Sequence, residues 1–203
     1  MPPLSGWTLW ITGFVGKVPA LDNVMSLLVS DFFIPVAIAL VMLLLWVGHP
    51  NPEKRASLQK TIMNASVAIG ISTLTVRVVN MHDFWPRPFL VDDPVISAAA
   101  WRAADIVFYH PHDPTFPSNG ATIAFAAATG VFLGHRKAGA VMYVLATLWV
   151  FARFYAGIHF AFDLLGGIVI GVATALMISK VFMPRTEPIP TLALKAGRFL
   201  YIA

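Results

Sequence analysis

Polar and charged positions in this chain fall into clusters separated by long apolar stretches. Uncharged runs occupy Phe32–Pro52, Thr61–Val76, Pro114–His135, Ala138–Ala152 and Leu164–Ser179. Each reads as a candidate membrane-spanning helix, because a helix satisfies its own backbone hydrogen bonds where lipid offers none. Three of the runs are only 15 or 16 residues long. At about 1.5 Å of rise per residue they fall short of a hydrocarbon core about 30 Å thick, so the charges that clip them, Arg77, Arg153 and Asp163, complete the spans at or just inside one membrane face. Ser5–Leu28 is interrupted by Lys17, Pro19 and Asp22 but carries Trp7, Trp10 and Phe14, and reads as an interface anchor leading into a sixth, short span. Asp92–Tyr109 is apolar at helical spacing with Arg102 and Asp105 on one side, the pattern of a helix lying along the membrane surface. The expected fold is an all-α, polytopic membrane bundle of about six transmembrane helices plus one interfacial helix. It forms a single domain over residues 1–203, of which 183–203 are a cytoplasmic tail.

Composition supports the membrane reading. Hydrophobic residues make up 58% of the chain and charged residues 12%, with a mean hydropathy of +0.74, leaving too few polar groups to coat a water-soluble globule. Cysteine is absent, which excludes disulfides and thiolate metal sites. The amino-terminal stretch has no basic residue before Lys17 and no small-residue cleavage pattern, so it is expected to be retained. Charge then sets the orientation. Threading six helices puts Glu53, Lys54, Arg55, Lys60, Arg136, Lys137, Lys180, Arg185, Glu187, Lys195 and Arg198 on one side, nine basic against two acidic. The other side receives Lys17, Arg77, Arg87, Arg102 and Arg153 with eight aspartates. The positive-inside rule makes the first side cytoplasmic and predicts an inner (plasma) membrane protein whose unusual polar residues face outward.

Those residues form three outward clusters: Arg77–Phe89, His110–Thr122 and Ala152–Asp163. In the third, His159 and Asp163 are four apart, which on a helix places both on one face, so that the carboxylate can orient the imidazole. Arg153, across a predicted turn, offers a fork of donors suited to phosphate oxygens. The second cluster ends in "PSNGA": Ser118 can cap the following helix, and free N–H groups at Asn119 and Gly120 favour an anion. Arg87 adds a second guanidinium. Together these describe a phosphoryl-transfer pocket. "HPHD" (His110–Asp113) reads as a polar loop, and Trp85, Trp101, Tyr109 and Phe116 read as an interfacial aromatic belt.

The order and spacing of these elements resemble the type 2 phosphatidic acid phosphatase superfamily, whose motifs read K-x6-R-P, P-S-G-H and S-R-x5-H-x3-D. Arg87 and Pro88 match the end of the first, Pro117 and Ser118 open the second, and Arg153, His159 and Asp163 fit the third. The general look is similar to the bacterial undecaprenyl-diphosphatase branch. The resemblance implies hydrolysis of a lipid phosphate or diphosphate through a phosphohistidine on His159, oriented by Asp163. Arg87, Ser118, Asn119, Gly120 and Arg153 would hold the phosphoryl group, and no metal, cofactor or nucleic acid is involved. Asn80 stands where the family has lysine, Ala152 where it has serine, and Gly120 where it has the histidine that protonates the leaving group. Arg77, one helical turn before Asn80, is the candidate to replace the lysine. Losing the acid is expected to bias the site towards diphosphates, whose leaving group departs without full protonation. The competing expectation is a degenerate relative that binds anionic lipid or serves as a subunit of a larger membrane complex.

Overall fold

The computed structural model describes residues 4–82 and 84–199; Asp83 and the last four residues of the tail lie outside them. The described helices are α1 (Ser5–Thr12), α2 (Pro19–Val29), α3 (Phe33–Val47), α4 (Pro52–Asn80), α5 (Pro94–Ile106), α6 (Asn119–Gly134), α7 (Arg136–Tyr155), α8 (Ala161–Met177), α9 (Met183–Arg185) and α10 (Ile189–Phe199). A short 3₁₀ turn, Pro88–Leu90, precedes α5. A π turn, Ile178–Phe182, carries α8 into α9. Sequence chemistry explains several helix starts. Asn51 accepts from the N–H groups of Glu53 and Lys54 ahead of α4, Asp93 does the same for α5, and Ser118 caps α6. Pro occupies the first turn of α2, α4 and α5, where its missing N–H costs nothing.

Helix α6 is the hub, packed against α4, α7 and α8. Its buried positions are almost all small: Ala121, Thr122, Ala124, Ala126, Ala127, Ala128 and Gly130. Small side chains let backbones approach, which drives helix association where lipid removes the hydrophobic incentive. The approach to α8 is close: a Cβ on Gly167 would lie 2.4 Å from the carbonyl oxygen of Ser118, and one on Gly171 2.4 Å from that of Thr122. On the outside, Leu44, Leu74, Val78, Val144 and Val169 are all more than half exposed, an apolar surface that only lipid suits.

Among the described residues, α4, α7 and the continuous segment Ala161–Arg185 are each long and apolar enough to cross a membrane, and α2 with α3 qualifies as one span bent by 55°. The 16 residues of α6 reach only about 24 Å, less than a hydrocarbon core about 30 Å thick, and a recess lies at its first turn. The expected sixth crossing over Ser5–Leu28 is not one helix. It breaks between α1 and α2, and Asp22 explains where α2 goes: its carboxylate accepts from Tyr155 Oη at 2.7 Å and from the Gly16 N–H at 3.2 Å, tying α2 to the end of α7. Both α1 and α2 pack beside α7, and α1 also beside α5. The tail folds back onto α4, helped by Lys60 Nζ donating to Glu187 at 2.9 Å.

The α6–α8 contact yields a stability prediction. Gly171→Val has no flexible neighbour to displace, only backbone, and is expected to destabilise the bundle by about 1–3 kcal/mol. Val169→Ala, on the lipid face two residues away, is expected to be close to neutral. Thermal unfolding in detergent distinguishes them, and equal melting temperatures would refute the close-packing account.

Candidate active site

The ends of α4, α6, α7 and α8 that carry the outward clusters meet at one end of the bundle, while Lys54, Arg55, Lys60, Arg136 and Lys137 lie at the other. Between them, above the start of α6, is a cavity of about 400 Å³ lined by residues that include Asp31, Tyr109, Asp113, Asn119, Gly120, Trp149, Arg153 and His159. His159, Asp163, Ser118, Arg153 and Arg87 are all buried.

His159 and Asp163 are adjacent, but not for the helical reason given by their spacing. Helix α8 starts at Ala161, so His159 lies in the connection before it and only Asp163 is on the helix. The two do not bond directly: Nδ1 is 3.6 Å from Oδ2. Thr115 joins them. Its hydroxyl donates to Asp163 Oδ2 at 2.6 Å, and its oxygen is 3.1 Å from His159 Nδ1. A hydroxyl has one proton and a carboxylate only accepts. With that proton on Asp163, Nδ1 must carry the hydrogen it shares with Thr115. The lone pair is therefore on Nε2, which is 3.3 Å from Ser118 Oγ. Burial, with the Arg87 guanidinium second, pushes the His159 pKa down to about 4, leaving the ring neutral at physiological pH. A neutral imidazole with its lone pair on Nε2 is a nucleophile.

Asp163 has no solvent exposure and is satisfied from several directions. The Phe160 N–H donates at 2.7 Å, which starts α8, and Trp85 Nε1 donates to the other oxygen at 2.9 Å. The Asp163 carbonyl accepts from the Ser118 N–H at 3.0 Å, fastening the starts of α6 and α8 together.

Arg153, in the last turn of α7, stacks over Trp149 with its guanidinium carbon 4.6 Å from the ring centroid and pairs with Asp31. Its Nε–H is buried and has no hydrogen-bond partner among the described residues, a state that favours an anion beside it. Gly120 makes room for it: a Cβ there would lie 3.1 Å from the guanidinium carbon. Asn119 Oδ1 is likewise buried without a partner. Arg87 donates to the Ile158 carbonyl at 2.8 Å and to the carbonyl and carboxylate of Asp113 at 2.9 and 2.8 Å. It braces the His159 connection and is absent from the cavity lining.

Other expectations need revision. Arg77 is exposed on α4 and does not line the cavity, so it is not placed to replace a lysine there. The aromatic belt is not one, because Trp85 bonds Asp163, Tyr109 lines the cavity and Phe116 packs on Trp85 and Phe162. His110–Asp113 is a loop, as read from the sequence; His110 Nε2 is 3.0 Å from Asp105 Oδ1, and His112 lines a separate pocket beside Trp85 and Leu90. The sequence reading missed Asp31, Thr115, Tyr109 and Asp113. Asp31 did leave a signal: like Arg153, it is a charge at the end of an apolar run, and such charges seek each other.

Residues 61–187, more than half of the chain, match the PAP2 superfamily. The chain is 28% identical over 153 residues to undecaprenyl-diphosphatase BcrC of Bacillus subtilis, covering 75% of this chain and 70% of that protein. Among solved structures it resembles LpxE of Aquifex aeolicus, with a TM-score of 0.60 at 21% identity, covering 89% of this chain and 96% of the other. It also resembles a transmembrane PAP2-type phosphatidylglycerolphosphate phosphatase from Bacillus subtilis, with a TM-score of 0.56 at 15% identity, covering 93% and 90%. These structural likenesses show the fold, a helical membrane bundle that covers nearly the whole chain, and the family match agrees with them: the chain belongs to the PAP2 superfamily.

Proposed function

We propose that this protein is an integral membrane phosphatase that hydrolyses a prenyl diphosphate, undecaprenyl diphosphate foremost, through a phosphohistidine on His159. The observation that carries the proposal is the buried His159 ring, held through Thr115 and Asp163 with Nε2 turned to Ser118 and Arg153 beside the same cavity. Nε2 attacks phosphorus while Arg153, Ser118 and the N–H groups at the start of α6 take the phosphoryl oxygens. Once phosphorylated, the imidazolium is stabilised through Thr115 by Asp163. Water then cleaves the N–P bond and releases phosphate. The lipid identity follows the similarity to a protein named undecaprenyl-diphosphatase.

The cavity lies at the non-cytoplasmic face in this proposal, because the opposite end carries Lys54, Arg55, Lys60, Arg136 and Lys137. In this cysteine-free chain, cysteines introduced by Asp92→Cys and Lys137→Cys are expected to label from opposite sides of intact cells. Labelling from the same side would overturn the topology.

Turnover tests the chemistry. His159→Ala is expected to abolish phosphate release from prenyl diphosphate, and an acid-labile phosphohistidine is expected in the wild type. Undiminished release would refute the mechanism. An inactive wild type that still binds the lipid would favour the reading as a binding subunit.

Thr115→Val removes the bridge while keeping the shape. A freed ring that no longer holds Nε2 in line is expected to cost about 10²-fold in kcat, with little change in KM. In ¹⁵N spectra, wild-type His159 is expected to stay neutral as pH falls from 7 to 5 and to protonate only near 4, with Nδ1 carrying the hydrogen. A midpoint near 6.5 or the opposite tautomer would contradict the hydrogen-bond assignment.

A further inference from the structure

Hydrolysis of a phosphate ester needs a proton for the departing oxygen as well as a nucleophile. An alkoxide, whose conjugate acid is about as weak an acid as water, is a poor leaving group without one. The cavity lining allows the donor to be found by elimination. His159 is the nucleophile, and its one ring hydrogen is engaged by Thr115. Asp31 and Asp113 are ion-paired with Arg153 and Arg87, and a paired carboxylate accepts but does not donate. Arginine does not give up its proton, and neither the Asn119 amide nor the Trp149 indole is an acid. The loop histidines His82, His110 and His112 are absent from this cavity's lining, and His112 lines a different pocket. Tyr109 remains.

Its position suits the task. The phenol donates to the Asp31 carboxylate and accepts from Arg153 Nη2 at 3.4 Å. The Arg153 guanidinium carbon is 5.6 Å from the Tyr109 ring centroid and 3.1 Å from where a Cβ on Gly120 would lie. Tyr109, Arg153 and Gly120 all line the one cavity, so a phosphoryl group held by Arg153 is near both the phenol and the start of α6.

We propose that Tyr109 is the proton donor to the leaving oxygen at this site, oriented by Asp31, and that the site therefore hydrolyses lipid monophosphates as well as diphosphates. The assignment rests on the phosphatase reading above. In the first half-reaction the His159 Nε2–P bond forms, the P–O bond to the lipid breaks, and the Tyr109 proton passes to the departing oxygen, releasing the alcohol. The tyrosinate is left beside the Arg153 guanidinium. In the second half, it takes a proton from the attacking water as the new P–O bond forms and the N–P bond breaks, which returns Tyr109 and His159 to their starting states. The sum is one water consumed per phosphate released. Burial, with the Asp31 contact adding to it and Arg153 opposing, pushes the phenol up to about 12. It thus enters the cycle protonated and is still a stronger acid than the alcohol it serves.

Tyr109→Phe separates an acid from a structural prop by its dependence on the leaving group. The full-length protein in detergent is assayed with a prenyl monophosphate, a prenyl diphosphate and p-nitrophenyl phosphate, whose nitrophenolate departs without a proton. The variant is expected to lose about 10²- to 10⁴-fold in kcat/KM on the prenyl monophosphate and less than a few-fold on the aryl phosphate. An equal loss on both, or none on the monophosphate, overturns the assignment. A wild type active on the diphosphate alone overturns it too, but leaves the phosphatase reading in place. A wild type that releases phosphate from none of the three overturns both.

Discussion

A carboxylate with no access to water must find every partner inside the protein, because an unsatisfied buried charge costs several kcal/mol. Asp163 is in that position, and its partners come from the segments that build the site. Trp85 reaches it from the loop after α4, Thr115 from the loop before α6, and the Phe160 N–H from the connection after α7. Its own carbonyl holds the Ser118 N–H at the start of α6. The outward clusters meet because this one group has to be satisfied. The same satisfaction selects the imidazole tautomer, since the Thr115 proton is committed to the carboxylate.

The depth of the site comes from packing. Helix α6 is short and small-sided, so α8 and α4 close around it and a recess is left at its first turn. That recess places His159 where burial keeps it neutral. A histidine at the rim would be charged through part of the physiological range and would lose its lone pair to a proton. Low polarity at the floor also strengthens whatever Arg153 and the α6 N–H groups do for an anion.

Electrostatics at the rim temper that floor. Each of the two arginines has an aspartate partner, Arg153 with Asp31 and Arg87 with Asp113, so the free cavity does not carry an uncompensated double positive charge. Arg153 also has a donor, Nε, that is buried beside Gly120 without a partner among the described residues. Each of the three Arg87 guanidinium nitrogens already has a partner, and its part is to hold the Ile158 carbonyl next to the nucleophile.

The sequence by itself determined the solvent and much of the plan. Apolar runs clipped by Arg77, Arg153 and Asp163 report membrane helices, and the motif spacing brings Arg153, His159, Asp163, Ser118 and Gly120 to one end, because short connections keep antiparallel helices adjacent. The helix cap at Ser118 was legible from local sequence alone. Only the tertiary structure decided what depends on distant partners. The bend of the first segment follows from Asp22 meeting Tyr155, 133 positions away. The relay through Thr115 joins positions 48 apart, and Arg77, which by helical spacing could serve the site, faces outward instead. Periodicity reports which face of a helix is apolar. Which neighbour a buried polar group finds on that face is set by packing, and no local pattern encodes it.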